Sequence, residues 1–342
     1  MVSQVKVQPS GHEFSVDDHE TILEAALRQG VGLPYGCRNG ACGACRGKVV
    51  SGDVTMQGES PQALSEQDRA QGYTLFCCAH AHGDISIEVN ELSPVGELTV
   101  KTLPCRVESL AKVHDVAILR LKLPVAERLQ FRAGQYIDIL LKDGKKRSFS
   151  IANAPHDDAY LELHIRYQPG GNFSDYVFNQ MKEREIMRFK GPLGSFFLRE
   201  DSEKPLILLA SGTGFAPIKG IVEHALHTGV KRPMILYWGA RTRADLYCAE
   251  LVAQWQAEHA DVFSYVPVLS EAGEHDAWTG RTGFVHQAVL DDFADLSPYQ
   301  VYACGAPVMV ESAHRSFIGE RGLPENEFFS DAFFLAKDMQ AR

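Results

Sequence analysis

At 342 residues, 45% hydrophobic and 23% charged, the chain has the composition of a globular protein of two or three domains. It holds no apolar run of about 18 residues, so no membrane-spanning helix is expected. Its net charge of −10 argues against nucleic acid as a partner. The opening residues, Met1-Val2-Ser3-Gln4-Val5-Lys6, lack a basic segment followed by an apolar stretch. No signal peptide is therefore expected, and a cytoplasmic location is the default.

The first block, 1–94, opens with alternating strands carrying Val5 and Val7, then Phe14 and Val16. A short helix is predicted from Thr21 to Gln29, with Ile22, Leu23, Ala26 and Leu27 on one face and Gly30 as its stop. Asp84 to Val89 alternates as a closing strand, and Asn90 to Thr99 reads as a linker broken by Ser93-Pro94 and Gly96. Residues 1–95 hold 6 Lys and Arg against 12 Asp and Glu, a net of −6. That excess is either a solvated surface or an acidic face on which a basic partner docks.

The second block, 101–200, is a series of short alternating strands: Val116 to Leu123, Tyr136 to Leu141 and Leu161 to Tyr167. Turn signals at Asp143-Gly144 and Pro169-Gly170-Gly171 separate them, which predicts a small antiparallel β-barrel. The third block, 204–342, alternates apolar strands with helices. Leu206 to Ala210, Met234 to Trp238 and Tyr302 to Cys304 each run into a loop and then a helix. That alternation predicts a doubly wound parallel sheet.

Eight cysteines in a cytoplasmic chain point to metal binding or catalysis rather than structural disulfides. Cys37, Cys42 and Cys45 stand in C-x4-C-x2-C spacing, with Cys77 and Cys78 a strand-length later. This is the plant-type [2Fe–2S] spacing. Two sulfide-bridged irons each need two thiolates; a tight loop supplies three and a distant turn the fourth. Gly36, Gly40 and Gly43 let the backbone wrap closely and aim N–H groups at the sulfurs. The alternative is a structural zinc site, although such sites usually arrange their ligands as two short-spaced couples. Leu75-Phe76-Cys77-Cys78-Ala79 through Asp84 resembles the closing segment of plant-type ferredoxins, whose ligand precedes the acidic start of the last strand by seven positions. The resemblance implies a β-grasp ferredoxin domain with Cys77 as fourth ligand and Cys78 as a packed neighbour.

Arg147-Ser148-Phe149-Ser150, following Gly134-Gln135-Tyr136, resembles the R-x-Y-S signature of the ferredoxin–NADP reductase superfamily, with Phe149 in the Tyr place. The resemblance implies that Arg147 pairs with the FAD pyrophosphate, Phe149 packs on the flavin, and Ser150 lies near the ring nitrogen that takes the hydride. Gly170-Gly171-Asn172-Phe173-Ser174 resembles the second phosphate loop of that superfamily, feeding a helix that begins near Ser174. Gly212-Thr213-Gly214-Phe215-Ala216-Pro217 matches its G-T-G-x-A-P form. The two glycines allow close approach of a pyrophosphate, and Pro217 suits the first turn of a helix. Cys304-Gly305 ends a strand where members place a Cys against the nicotinamide, the alternative being a buried Cys without a role. Asp331 lies in a tail, Phe328 to Phe333, resembling the C-terminal segment that reaches the flavin. The mixed charge of Arg241, Arg243 and Asp245 favours NADH over NADPH.

The order of ferredoxin, flavin barrel and nicotinamide domain resembles the reductase components of multicomponent oxygenases, such as those of phenol hydroxylase, benzoate dioxygenase and soluble methane monooxygenase. It also resembles the CDP-6-deoxy-Δ3,4-glucoseen reductase group, to which the wording around Cys77 and Arg147 points. The resemblance implies hydride transfer from NADH to FAD and single electrons through a [2Fe–2S] cluster to a redox protein, an oxygenase or sugar-dehydratase component docking near the acidic ferredoxin domain. Two alternatives stay open: a flavin reductase acting directly on a small molecule, and a redox sensor read through its cluster.

Overall fold

Three sheets carry the chain, each built from a different sequence pattern. The computed structural model describes residues 2–57, 63–92 and 99–334, and divides the chain into a unit of residues through Thr99 and a unit of Val100–Phe333. The expected linker lies largely outside the described residues, at 93–98.

In the first unit, the alternation at Val5, Val7, Phe14 and Val16 buries one side of each strand. β1 (Val2–Gln8) and β2 (Glu13–Asp17) form an antiparallel hairpin on that basis. α1 (Ile22–Arg28) starts at Thr21, whose hydroxyl accepts from the Glu24 N–H while the Glu24 carboxylate accepts from the Thr21 N–H. β3 (Arg46–Met56), the short α2 (Glu66–Ala70), β4 (Tyr73–Leu75) and β5 (Ala79–Glu88) follow. The sheet order is β2-β1-β5-β3-β4, with β1 and β5 parallel. With α1 packed on β2 and β5, this is the expected β-grasp. The closing strand is longer than its apolar pattern suggests: it begins at Ala79, where Ala79 to His82 pair with Met56 to Asp53. Polar His80 and His82 conceal that half from a hydrophobicity reading.

In the second unit, β6 (Lys101–Val113), β7 (Val116–Lys122), β8 (Tyr136–Leu140), β9 (Lys146–Ser150), β10 (Tyr160–Arg166) and β11 (Ile186–Leu193) form an antiparallel sheet in the order β10-β7-β6-β11-β8-β9. A bridge between Ile151 and Leu163 joins the two edges and closes the barrel. α3 (Asn172–Asn179) starts two residues before the predicted Ser174.

The remaining elements alternate: β12 (Leu206–Ser211), α4 (Phe215–Thr228), β13 (Met234–Ala240), α5 (Ala249–Glu258), β14 (Phe263–Leu269), β15 (Arg281–Thr282), α6 (Val285–Asp292), β16 (Gln300–Gly305), α7 (Pro307–Arg321) and β17 (Phe328–Ala332). The strands are parallel in the order β15-β14-β13-β12-β16-β17. Both faces are covered, one by a cluster with Phe215, Trp238 and Val252, the other by Ile207, Val289 and Phe317. This is the doubly wound sheet the alternation implies.

Barrel and parallel sheet meet around Glu162, buried at 3% exposure. Its carboxylate accepts from Arg120 at 2.9 Å, and lies 3.1 Å from both His164 Nε2 and Lys219 Nζ. Burial alone would raise its pKa, but His164, Lys219 and Arg120 outweigh that and hold it well below the usual carboxylate range. A carboxyl depressed on folding contributes stability above its unfolded pKa and loses it as pH falls through and below that range. Glu162→Gln is therefore expected to destabilise this unit by about 3 kcal/mol at neutral pH, with the difference shrinking toward acid. Denaturant midpoints at pH 7 and pH 4 check this, and equal midpoints for both proteins at pH 7 would overturn it.

Candidate functional site

The first constellation lies in the loop between α1 and β3. Arg38, Gly40 and Gly43 all take positive φ, at 59°, 79° and 73°, which winds the loop tightly enough to bring its sulfurs together. The amide of Cys37 donates to the Cys42 sulfur and the amide of Cys42 to the Cys37 sulfur, each at 3.3 Å. Cys77, just past β4, lies within hydrogen-bond reach of Cys45. The four thiols thus fall into two couples, Cys37 with Cys42 and Cys45 with Cys77, as a two-iron cluster requires.

The electrostatics set the sulfurs against one another. The Cys37 thiol is drawn down to about 6, first by Cys42 and, against burial, by the amides of Asn39, Cys42 and Ala41. The Cys42 and Cys77 thiols are pushed up, each first by its partner sulfur, Cys37 and Cys45 respectively. Two couples in which one sulfur resists ionising beside another suit a cation that neutralises both. Cys78 contacts Cys77, with 3.6 Å between sulfurs, and lies beneath the loop: a Cβ on Gly40 would stand 2.9 Å from its Sγ.

The second constellation lies on the barrel. Along β9, Arg147 and Phe149 alternate with Ser148 and Ser150, so the two pairs face opposite ways. Phe149 packs on Phe173 of α3 with ring centroids 5.5 Å apart. Arg147 donates to the Lys146 carbonyl and has no carboxylate partner among the described residues, which leaves its fork open. Gly170 turns at φ +74°, and Gly171 caps α3 without a side-chain acceptor, which leaves the first amides of that helix to an outside anion. Ser174 bonds back to the carbonyls of Gln168 and Gly171 and so braces the loop from within. An open guanidinium, an aromatic pair and an uncapped helix start fit a dinucleotide such as FAD. Ser148 is not brought to this group; its hydroxyl donates to Asp138 at 2.6 Å.

The third constellation gathers at the C-terminal ends of β12, β16 and β17. A Cβ on Gly214 would stand 2.1 Å from the Cys304 carbonyl oxygen, and one on Gly305 2.6 Å from the Ser211 carbonyl oxygen, so these loops interlock backbone to backbone. Gly212 and Thr213 form the turn into α4, and Pro217 is its third residue. The indole of Trp238 donates to the Gly212 carbonyl at 3.0 Å and fixes the loop from below. Cys304 is wholly buried, and burial first, then the charge of Asp331, pushes its thiol well up. Asp331 pairs in register with Cys304, and the Ser150 hydroxyl donates to its carboxylate at 3.4 Å. Residues 181 positions apart in the chain thus share one hydrogen bond.

Two findings lie outside the sequence reading. Arg166, the last residue of β10, lies 3.3 Å from Asp115 and 3.8 Å from Asp245, while its Nε and Nη2 are buried without a partner. Its Nη2 faces Gly212, 3.5 Å from where a Cβ would be. Orphaned donors beside a glycine turn fit a pyrophosphate. The signal available was an arginine closing an apolar strand three residues before Pro169-Gly170-Gly171. The charges after β13 also act differently than their order suggests. Asp245 is buried, accepts from the Thr242 amide and hydroxyl at 3.0 Å, and so does not face a ribose. The amide and side chain of Arg243 bond to Asp276, and Arg241 is exposed.

Three families match along the chain: a 2Fe-2S iron-sulfur cluster binding domain over residues 5–82, an oxidoreductase FAD-binding domain over 104–198, and an oxidoreductase NAD-binding domain over 208–315. The first replaces the zinc alternative for the cysteine loop. The chain is 43% identical over 338 residues to the CDP-6-deoxy-L-threo-D-glycero-4-hexulose-3-dehydrase reductase of Yersinia pseudotuberculosis, covering 98% of this chain and 100% of that protein. It is 35% identical to the phenol 2-monooxygenase reductase component DmpP of a Pseudomonas species, covering 99% and 96%. Among solved structures, the Amycolatopsis cytochrome P450 reductase GcoB superposes with a TM-score of 0.78 at 33% identity, covering 97% of this chain and 98% of that one. Among the described residues no helix is long and apolar enough to cross a membrane.

Proposed function

The chain belongs to the family of oxidoreductases that join a 2Fe-2S ferredoxin domain to FAD-binding and NAD-binding domains, and from that membership we propose a dehydrase of a CDP-6-deoxyhexulose as the protein it reduces. It is an NAD(P)H-dependent reductase that delivers electrons to a protein acceptor. The sugar-dehydrase reading is supported by full-length identity of 43% to a reductase of that name, against 35% to a phenol monooxygenase reductase component. An oxygenase component is the second reading. We place its docking near the acidic ferredoxin unit, and the protein in the cytoplasm.

The bound flavin takes electrons as a pair and releases them singly, which matches a two-electron donor to a one-electron cluster. The chain's own residues hold and separate these steps. Arg147 and the first amides of α3 bind the FAD phosphates, and Phe149 lies against its ring. Gly212, Thr213, Gly214 and Arg166 take the pyrophosphate of the incoming NADH, and Cys304 and Gly305 form the wall at its nicotinamide. The Ser150 hydroxyl and the Asp331 carboxylate, bonded to each other, would supply or accept a proton at the flavin once it is bound. Cys37, Cys42, Cys45 and Cys77 hold the cluster. NADH is favoured over NADPH on the mixed charge of Arg241, Arg243 and Asp245 after β13, where the Arg243 amide and one guanidinium nitrogen are already bonded to Asp276.

An absorption spectrum of protein purified without air tests this reading. Flavin bands and a broad iron–sulfur envelope are expected, both bleaching on NADH and more slowly on NADPH. Flavin bands over trace iron would reduce the protein to a flavin reductase, and faster bleaching by NADPH would reverse the nucleotide preference. Electron delivery to an oxygenase component but not to a purified dehydrase would favour the second reading.

A further inference from the structure

Cys78 is the one cysteine of residues 1–99 outside the proposed ligand set, and the fold gives it a fixed place. Its amide donates to the Leu75 carbonyl at 2.9 Å, closing the turn that carries Cys77. Its carbonyl accepts from the Gln57 amide at 2.9 Å, tying the same residue to the end of β3. Held from both sides, the residue is 6% exposed, with its sulfur 3.6 Å from that of Cys77 and 2.9 Å from where a Cβ on Gly40 would stand. A side chain at position 40 would occupy the space the Cys78 sulfur fills. Gly40 thus serves two needs: a φ of +79° and room for a second sulfur beneath the loop.

A thiol is a weak hydrogen-bond donor, but a metal-bound thiolate is a charged acceptor, and here both cysteines are more than nine-tenths shielded from solvent. Reduction places one more negative charge on a cluster, and donors to its sulfurs favour that state and raise its potential. We propose that Cys78 is a positioning residue whose S–H donates to the Cys77 sulfur and makes the cluster easier to reduce. The proposal rests on the assignment of Cys77 as ligand. It gives the vicinal pair a division of labour: one sulfur binds iron, the other sets how readily that iron accepts an electron from the flavin.

The test is a dye-mediated redox titration of the full-length holoprotein, following the EPR signal of the reduced cluster, with iron content measured alongside. One buried hydrogen bond corresponds to roughly two- to tenfold in an equilibrium constant. Cys78→Ala and Cys78→Val are each expected to keep their iron and to lower the reduced-to-oxidised ratio at a fixed potential about fivefold, or about 40 mV. Cys78→Ser retains a donor and is expected to return most of that shift. An unchanged potential in both Ala and Val proteins overturns the proposal. So does a Ser protein indistinguishable from Ala, since the sulfur would then only fill space. Iron lost from the Ala and Val proteins while Cys77→Ser keeps it would make Cys78 the ligand and also overturn it. Wild-type protein without iron would instead sink the electron-transfer reading itself.

Discussion

Cys42→Ala protein is expected to lose the iron–sulfur envelope and to deliver electrons to its protein acceptor at least about 100-fold more slowly, while NADH still bleaches its flavin bands. The magnitude follows from ligand chemistry: altering groups that merely orient a ligand costs 10- to 100-fold in many metal sites, and removing a ligand costs more. Persistence of flavin reduction follows from where the residues lie. Every proposed cluster ligand falls within residues 37–77, in the unit that ends at Thr99. Arg147, Arg166, Gly212, Cys304 and Asp331 all fall within Val100–Phe333. That second unit has its own cores, one inside the barrel and one on each face of the parallel sheet, none of which draws on the ferredoxin residues. Stopped-flow bleaching by NADH, run beside turnover with the acceptor, separates the two half-reactions. Acceptor turnover retained without the envelope would mean that electrons do not reach the acceptor through the cysteine loop, and equal loss of both half-reactions would mean that flavin reduction itself depends on that loop.

Much of this was legible in the sequence because the chemistry imposes spacing. Three ligand thiolates on one loop would account for the C-x4-C-x2-C spacing of Cys37, Cys42 and Cys45, and the loop turns where Gly40 and Gly43 take positive φ. A pyrophosphate demands glycine where backbone must approach, which is why Gly212 and Gly214 at the end of an apolar strand are proposed for it. What stayed hidden depends on partners far away in the chain. Ser150 meets Asp331 only because β17 adds beside β16 and carries Asp331 level with Cys304. Asp245 counts in the sequence only as part of a mixed charge after β13, yet its carboxylate accepts from Thr242 and lies near Arg166 and His114. The first half of β5 escaped because His80 and His82 break the apolar alternation, although Thr55 bonds His82 across the ladder at 2.8 Å. Local rules identify what binds a cofactor; they do not reveal which charges have already been neutralised by the fold.

Arg166 is where that distinction matters most. Its two acidic neighbours come from different parts of the unit, Asp115 from the turn joining β6 and β7 and Asp245 from the loop after β13. Both lie on its Nη1 side, leaving Nε and Nη2 buried and without acceptors. A buried donor left unpaired is costly, and a phosphate oxygen arriving over Gly212 would remove that cost while gaining a charge-assisted bond worth about 1.5–3 kcal/mol. Arg166→Ala is therefore expected to raise KM for NADH about 10- to 100-fold with flavin and iron content unchanged, and to weaken NAD+ binding in parallel. Arg166→Lys keeps the charge but not the fork and is expected to fall between the two. Removing Arg166 also strands two carboxylates, so Asp115→Asn serves as the control. It leaves the guanidinium in place beside Asp245 and should leave KM within about twofold, since this pair is partly solvent-exposed. If Asp115→Asn raises KM as much as Arg166→Ala does, the arginine acts by clasping the barrel to the parallel sheet. If Arg166→Ala leaves KM unchanged, the pyrophosphate is held by the Gly212 turn and the start of α4 without it.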